Sequence, residues 1–379
     1  MESVGAMKEE QPLRVCHLVS GDLWAGAEVM DFRLLKGLKA FPDLDLSAIV
    51  LNQGRFADEI ENLGIPVDVV DETRLGFPRI LKKVKTLLEE KRPDVVHCHW
   101  YKLNLLAFLS TRSKRTVSLV STQHGMPEFV GREKNFKYAT LHRINFFLLS
   151  RWFQGTVAVS NEIRKALLGR YGFDEKRTFL IYNGTELCDD EPIRERSGRD
   201  FKVGSTGRLV PVKDFPFMVE IARDVTKMES NIRFGIAGNG PEKTRVEEMI
   251  CRYGLEQSFR LCGFLDNVVL FYKEIDIYLN TSIHEGIPMS ILEAMAHGLP
   301  VVAPDVGGLG EIIEDGVQGF LVKGRNPRDF ADRCVRLYRD EPLRQQMGLA
   351  ARERIKTVFS NHRMANDYYE LYRVAADTR

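Results

Sequence analysis

The strongest constraint on this chain is a rhythm that runs twice. Short runs rich in Val, Ile, Leu and Phe alternate with longer runs whose apolar residues recur at helical spacing, once over 13–184 and again over 201–322. Such alternation folds into a parallel sheet with helices on both faces, because a parallel strand needs a crossover to return. In the first series LRVCHLVS (13–20) leads into the loop GDLWAGAEV and a helix from about Ala27 to Lys39. LDLSAIVL (44–51), VDVVD, DVVHCH (94–99), TVSLVSTQHG (116–125), GTVAVS (155–160) and TFLIYNG (178–184) read as further strands. Helices are expected between them, including 78–93, ended by Pro93, and 138–154. Residues 186–200 are charged, aperiodic and contain Pro192, the composition of a linker. Strands then resume at 201–207, 232–238, 259–264, 276–282, PVVAP and GFLV.

At 379 residues two cores are the default. The expected division is 1–190, 191–358 and a closing segment 359–379. Ligands of open parallel sheets sit outside the carboxyl ends of the strands, so a cleft between two such domains is the place to look. The totals are those of an ordinary globular protein, 44% apolar and 28% charged. A net charge of +1 gives no whole-protein field for nucleic acid, and no nucleic-acid partner is expected. Six cysteines form no CxxC pair, and Cys16, Cys98 and Cys262 lie in apolar runs, which suits a reducing, cytoplasmic compartment. There is no apolar run long enough to span a membrane and no signal peptide. Residues 1–10 read as a frayed polar leader.

The segment 283–322, IHEGIPMSILEAMAHGLPVVAPDVGGLGEIIEDGVQGFLV, concentrates the chemistry. Glu285 and Glu293 are eight positions apart, with a Gly-Ile-Pro turn between them. Pro288 suits the first position of a helix, MSILEAMAH is rich in helix formers, and Gly298 is a natural left-handed stop. Free amides at Met289 and Ser290 would then face outward at the positive end of the dipole, which favours phosphate. In STGRLVPVKDF (205–215), Arg208 and Lys213 follow a strand and suit a diphosphate, one as a planar fork and one as a point charge; either alone is more often a solvated surface charge. The loop GDLWAGAEV could bring amides to a phosphate or be a plain turn. It is not GxGxxG, so the dinucleotide fingerprint is absent.

His124 ends a strand, where a histidine can exchange a proton but is more often structural. His97 and His99 share one strand face and could cluster with it. Metal binding there is disfavoured, since no nearby carboxylate or cysteine spacing supports it. His284 and His297 read as packing or capping residues. The stretch 132–153 mixes basic residues with Phe146, Phe147, Leu148, Leu149, Trp152 and Phe153. It reads as a core helix in preference to a membrane-surface helix, because a buried strand follows at once.

These residues together resemble the GT-B glycosyltransferases of the large retaining family 4, over nearly the whole chain. HEGIPMSILEAMAHGLPVVAPDVGGLGEIIEDGVQGFLV matches that family's Glu-x7-Glu signature and trailing glycine turns; GRLVPVKDF, VAVSNEIRKAL and IYNG match three further blocks. The resemblance implies an α/β GT-B fold, two Rossmann-like α/β/α domains facing a central cleft. Residues 1–190 would bind the acceptor and 191–358 the nucleotide sugar, with a helix in 359–379 crossing back. It implies sugar transfer with retention, with no essential metal and no cofactor. Arg208 and Lys213 would hold the donor diphosphate. Glu285, Gly286 and the amides of Ile287, Met289 and Ser290 would hold sugar and phosphate, and Glu293 the ribose. Phe264 and Leu265 fall where the family seats the base, Gly26 approaches the phosphate, and His124 matches a histidine near donor sugar and acceptor. Glu285 as nucleophile is attractive from carboxylate chemistry, but the family mechanism is front-face attack, so both glutamates take binding roles. A UDP-sugar donor and a glycan or lipid-linked acceptor are the expected partners, with a peripheral membrane contact at 132–153 as an option. The competing readings are a nucleotide-sugar epimerase, a phosphorylase (which needs a pyridoxal lysine), a non-catalytic sugar-nucleotide or glycan binder, and a dehydrogenase.

Overall fold

The computed structural model describes residues 11–21, 24–112, 116–126, 136–187 and 200–378; the side chains of 136–139 are outside the description. The expected leader lies outside these residues, as does most of the expected linker and the start of the basic-aromatic stretch. Two parallel sheets are present. The first holds β1 (Leu13–Val19), β2 (Leu44–Val50), β3 (Val67–Val69), β4 (Val95–Cys98), β5 (Ser118–Gln123), β6 (Gly155–Ala158) and β7 (Thr178–Leu180), in the order β3-β2-β1-β4-β5-β6-β7. The second holds β8 (Phe201–Thr206), β9 (Ile232–Ala237), β10 (Phe259–Gly263), β11 (Ile277–Leu279), β12 (Val301–Pro304) and β13 (Gly319–Val322), in the order β10-β9-β8-β11-β12-β13. Strand order reverses between β1 and β4 in one sheet and between β8 and β11 in the other. These are the switch points where doubly wound sheets open a crevice. The α/β architecture of two Rossmann-like domains is therefore as expected.

The strands are shorter than their apolar runs. TFLIYNG pairs only over Thr178–Leu180 and DIYLNTS only over Ile277–Leu279. Ile181 and Asn280 each make one further backbone bond, to the Ala158 and Val302 carbonyls, and 182–184 and 281–282 then run on toward the cleft. The helix Phe77–Lys91 stops before Pro93, with Arg92 left-handed at its end, since a residue before proline is pushed out of helical geometry. The helix Gly26–Leu38 buries Met30, Leu34, Leu35 and Leu38 on one face, and Asp31 on the same face. The closing helix Asn361–Asp377 buries Met364, Ala365, Tyr368, Leu371, Tyr372 and Ala375. It packs on helix Gly26–Leu38 and on β4 and β5, all in the first sheet's half. The chain crosses at Ser360, which bridges to Thr185, so close that a side chain at Gly184 would strike the Ser360 carbonyl.

Candidate active site

The carboxyl ends of both sheets meet at the loop 282–288. Glu285 lies in that loop with one oxygen held twice: Lys213 Nζ donates to Oε1 at 2.5 Å and Ser282 Oγ at 2.6 Å. Burial works against a charge on Lys213, but the Glu285 carboxylate outweighs it and the ammonium pKa is raised. Arg208 is exposed nearby at the end of β8. Lys213 ends the short turn Pro211–Lys213, and Asp214 just after it is left-handed and accepts from Arg325 at 2.5 Å. Two cations thus lie close together, Lys213 anchored by Glu285 and Arg208 exposed.

Pro288 is the cap of the helix Met289–Ala296, not its first residue. Its extended backbone makes the turn, so Met289 and Ser290 are the first residues with outward amides. Ser290 Oγ is buried without a hydrogen-bond partner among the described residues. A buried hydroxyl beside outward amides is chemistry that suits an anion. Glu293 sits one turn deeper. Its Oε1 accepts from Arg33 Nη2 at 2.7 Å and its Oε2 from the Tyr272 hydroxyl at 2.9 Å. Burial and Glu293 together raise the Tyr272 pKa well above its ordinary value, so it stays a donor. The two glutamates therefore have separate partners and separate places.

Gly286 is buried, and a Cβ there would lie 2.7 Å from the His124 carbonyl. It is a point where the two halves touch, a stricter demand than contact with a ligand. Ile287 and Met289 are buried, and the Ile287 carbonyl accepts from Asn183 Nδ2 at 2.7 Å. Phe264, just after β10, is 58% exposed with Leu265 half-buried beside it, an apolar platform at the rim. Gly26 opens helix Gly26–Leu38, and a Cβ there would meet nothing within 4 Å; the space beside it is open for a ligand. His124 lies just past β5, its Nε2 3.1 Å from His99 Nδ1. Burial holds His124 neutral, lowering its pKa to about 3.

Several residues at this junction are absent from the sequence reading. Arg33 and Tyr272 anchor Glu293, and Ser282 anchors Glu285. Gly307 and Gly308 pass so close under residues 285 and 286 that a side chain on either would strike their carbonyls. Glu311 accepts from the amides of Asn161 and Glu162 and from the Tyr182 hydroxyl, capping the helix Asn161–Tyr171 of the other half. The expectation of no carboxylate near the histidines is corrected. His17, Asp31, His97 and His99 are all buried, with donor atoms within 4.8 Å of one another. Asp31 was hidden because it comes from a helix far from the His-x-His strand. Its signal was a carboxylate on an apolar stripe, four before Leu35 and seven before Leu38. His297 is a capping residue as expected, its Nδ1 2.8 Å from the Glu293 carbonyl.

Two doubly wound parallel sheets whose carboxyl ends face one another define the GT-B class. Residues 189–354 match the family Glycosyl transferases group 1, and residues 25–187 match Glycosyltransferase Family 4. The chain belongs to this glycosyltransferase family. It is 31% identical over 219 residues to the poly(ribitol-phosphate) alpha-N-acetylglucosaminyltransferase of Staphylococcus aureus, a match covering 58% of this chain and 43% of that protein. The chain thus spans less than half the length of that relative. It is 26% identical over 340 residues to the putative glycosyltransferase EpsD of Bacillus subtilis, covering 85% and 86% of the two chains. Among solved structures, Anabaena HepE in complex with UDP and glucose superposes with a TM-score of 0.82 at 21% identity, over 95% of this chain and 99% of that one.

Proposed function

We propose that this protein transfers a sugar from a nucleoside-diphosphate sugar, a UDP-sugar, to a glycan or lipid-linked acceptor with retention at the anomeric carbon, in the building of a surface polysaccharide. The observation that carries this is the pairing of a phosphate-ready helix start, with the orphan Ser290 hydroxyl, and the Arg208–Lys213 turn. In this reading residues 1–190 hold the acceptor and 191–358 the donor. The bond from the anomeric carbon to the diphosphate breaks, the acceptor oxygen bonds to that carbon on the same face, and the acceptor proton passes to the leaving phosphate. Charge then develops on the diphosphate. Arg208, Lys213 and the amides of Met289 and Ser290 stabilise it, a role a metal ion fills in other transferases. Glu285 is held by Lys213 and Ser282, which suits a group that accepts from sugar hydroxyls and not one that attacks carbon. Gly286 and Ile287 bring backbone to the sugar, Glu293 accepts from the ribose, and Phe264 and Leu265 face the base. Gly26 approaches the phosphate from the opposite half, and His124 contacts the sugar or acceptor. HepE was crystallised with UDP and with UDP-glucose, which favours uracil as the base.

No helix among the described residues is long and apolar enough to cross a membrane. On the helix Phe136–Trp152, Phe146, Leu148 and Leu149 are buried, while Ile144, Phe147 and Trp152 are exposed beside Arg143 and Arg151. One helix thus serves the core and presents an apolar-basic face outward, and we propose that face as the peripheral contact that brings a lipid-linked acceptor to the cleft.

The decisive experiment is thermal denaturation against UDP-, GDP- and ADP-sugars, because a ligand of the folded state raises stability by mass action. UDP-sugars are expected to raise the melting temperature and to release UDP once an acceptor is added. No shift with any nucleotide sugar would refute the donor assignment.

A further inference from the structure

The crevice between β1 and β4 is filled by a single connected set of buried polar groups. His17 on β1 and His97 on β4 are register partners. His99 follows on the same face, and Asp31 faces them from helix Gly26–Leu38. The set extends outward through His99 to His124, and inward through Tyr372 and Tyr368 of the closing helix. We propose that Asp31 and His99 are positioning residues that lock the His124 imidazole with its proton on Nε2, so that Nδ1 is presented as an acceptor to a hydroxyl of the sugar or of the acceptor. This rests on the transfer reading above.

One charge fixes the protons. An ionised Asp31 can only accept, and its Oδ1 is 2.7 Å from His17 Nδ1 and 3.0 Å from His99 Nε2. Both nitrogens therefore carry protons, and where a ring carries only that one proton its far nitrogen is an acceptor. On the inner branch the Tyr372 hydroxyl donates to His17 Nε2 at 3.2 Å and accepts from His97 Nδ1 at 2.7 Å. His97 Nε2 then accepts from the Thr122 hydroxyl at 2.8 Å, and Thr122 accepts from Tyr368 at 2.7 Å. On the outer branch His99 Nδ1 accepts from His124 Nε2 at 3.1 Å. Every donor meets an acceptor in this assignment except the His99 Nε2–H, which lies 3.0 Å from Asp31 Oδ1 at ion-pair distance without hydrogen-bond alignment. A proton on His99 Nδ1 would instead turn His124 round, making its outward nitrogen a donor. Asp31 thus decides from the crevice what His124 offers at the cleft, where its own carbonyl packs on Gly286. Asp31 Oδ2 has no hydrogen bond among the described residues, so a metal ion is the competing occupant of this cluster.

Imidazole nitrogen NMR on the labelled full-length protein at neutral pH is expected to show His124 with Nε2 protonated and Nδ1 bare. Asp31→Asn, which keeps the shape and removes the charge, moves both signals toward an averaged pair. A protonated Nδ1 in the wild type overturns the proposal. So does stoichiometric zinc that survives dialysis in the wild type and is lost in Asp31→Asn. In turnover, His99→Phe is expected to lower kcat about 10-fold, as backing groups that fix an imidazole do, with nucleoside diphosphate affinity unchanged. Combined with His124→Ala it is expected to cost no more than His124→Ala alone, because a residue acting through His124 has nothing left to act on. Additive losses overturn the proposal, and so does unchanged turnover in His124→Ala. Asp31→Asn serves the same cycle where His99→Phe does not fold. Absence of transfer by the wild type with every donor would count against the transfer reading alone, and the NMR result would still decide the tautomer.

Discussion

Glu285, Glu293, Lys213 and Arg208 divide the site by the company each keeps. Lys213 is tied to Glu285, and Glu293 is held by Arg33 and Tyr272. A carboxylate has about four lone-pair positions, so Glu293 can keep both partners and still accept from a ribose hydroxyl. Glu293→Ala is therefore expected to weaken nucleotide binding with little change in kcat at saturation. Lys213→Ala and Arg208→Ala remove charge that matters most on the leaving group and are expected to lower kcat by about 100-fold, the usual cost of one such donor. Steady-state kinetics with UDP affinity from calorimetry separate the two; equal losses in KM and kcat across all three would break the division. The buried histidines set the acid limit. Burial lowers the pKa of His124 to about 3 and that of His97 well below the usual value, while His99 and His17 lower that of Asp31 against its burial. A neutral buried histidine binds fewer protons than its unfolded counterpart, so its contribution is complete above about pH 6.5 and is lost as pH falls. Asp31 contributes in the same direction, from its ordinary carboxylate range downward. The melting temperature is expected to be level from pH 7 to 8 and to fall steadily from about pH 6.5 to 4. A level profile down to pH 4 would mean that these groups are not buried neutral.

At the scale of elements, two glycines that look alike in sequence carry opposite demands. Gly26 starts a helix with open space where a side chain would go, whereas Gly286 has the His124 carbonyl in that place. Gly26→Ala is expected to leave the melting temperature unchanged and to raise KM for the donor. Gly286→Ala must move backbone, so it is expected to lower kcat by about 100-fold, the cost of a displacement near 1 Å, while nucleotide affinity holds. The opposite pattern would exchange their roles. The sequence could not have told them apart, because the partner of Gly286 is brought by a different sheet. The same limit runs through the rest. Alternating apolar runs announced both sheets, and the run MSILEAMAH announced the helix after Glu285, because those signals are local. Arg33, Tyr272 and Glu311 were not legible, since each acts on an element from elsewhere in the chain, and Asp31 showed only as a carboxylate on an apolar stripe, with nothing to say that histidines face it. Pro288 was misplaced by one position for a smaller reason: a fixed φ suits both the cap and the first helical residue, and only the turn made by Gly286 and Ile287 decides between them.

For the whole molecule, the question is what makes two halves act as one cleft. Among the described residues three polar ties cross between them in addition to the closing helix. Arg33 reaches Glu293, Asn183 reaches the Ile287 carbonyl, and Glu311 caps the helix Asn161–Tyr171. The last is the most consequential. The carboxylate takes two first-turn amides, the Asn161 side chain and the Tyr182 hydroxyl. Burial and that carboxylate push the Tyr182 pKa up to about 12, so the hydroxyl remains a donor across the working range. A helix start wants acceptors and a negative charge; Ser160 of the same half accepts from the Ile163 amide, and the charge and the acceptor for the first two amides come from the opposite half. Removing that carboxylate, with the Ser160 cap kept, costs about 1 kcal/mol. Neither half loses core packing in Glu311→Ala, so both should stay folded while their coupling weakens. Calorimetry is expected to show the single unfolding transition of the wild type broaden or split in Glu311→Ala. Addition of UDP-sugar should restore a single transition, since a donor that touches both halves is bound only when they close. A variant that melts as one sharp transition at the wild-type temperature would assign the coupling to the closing helix alone.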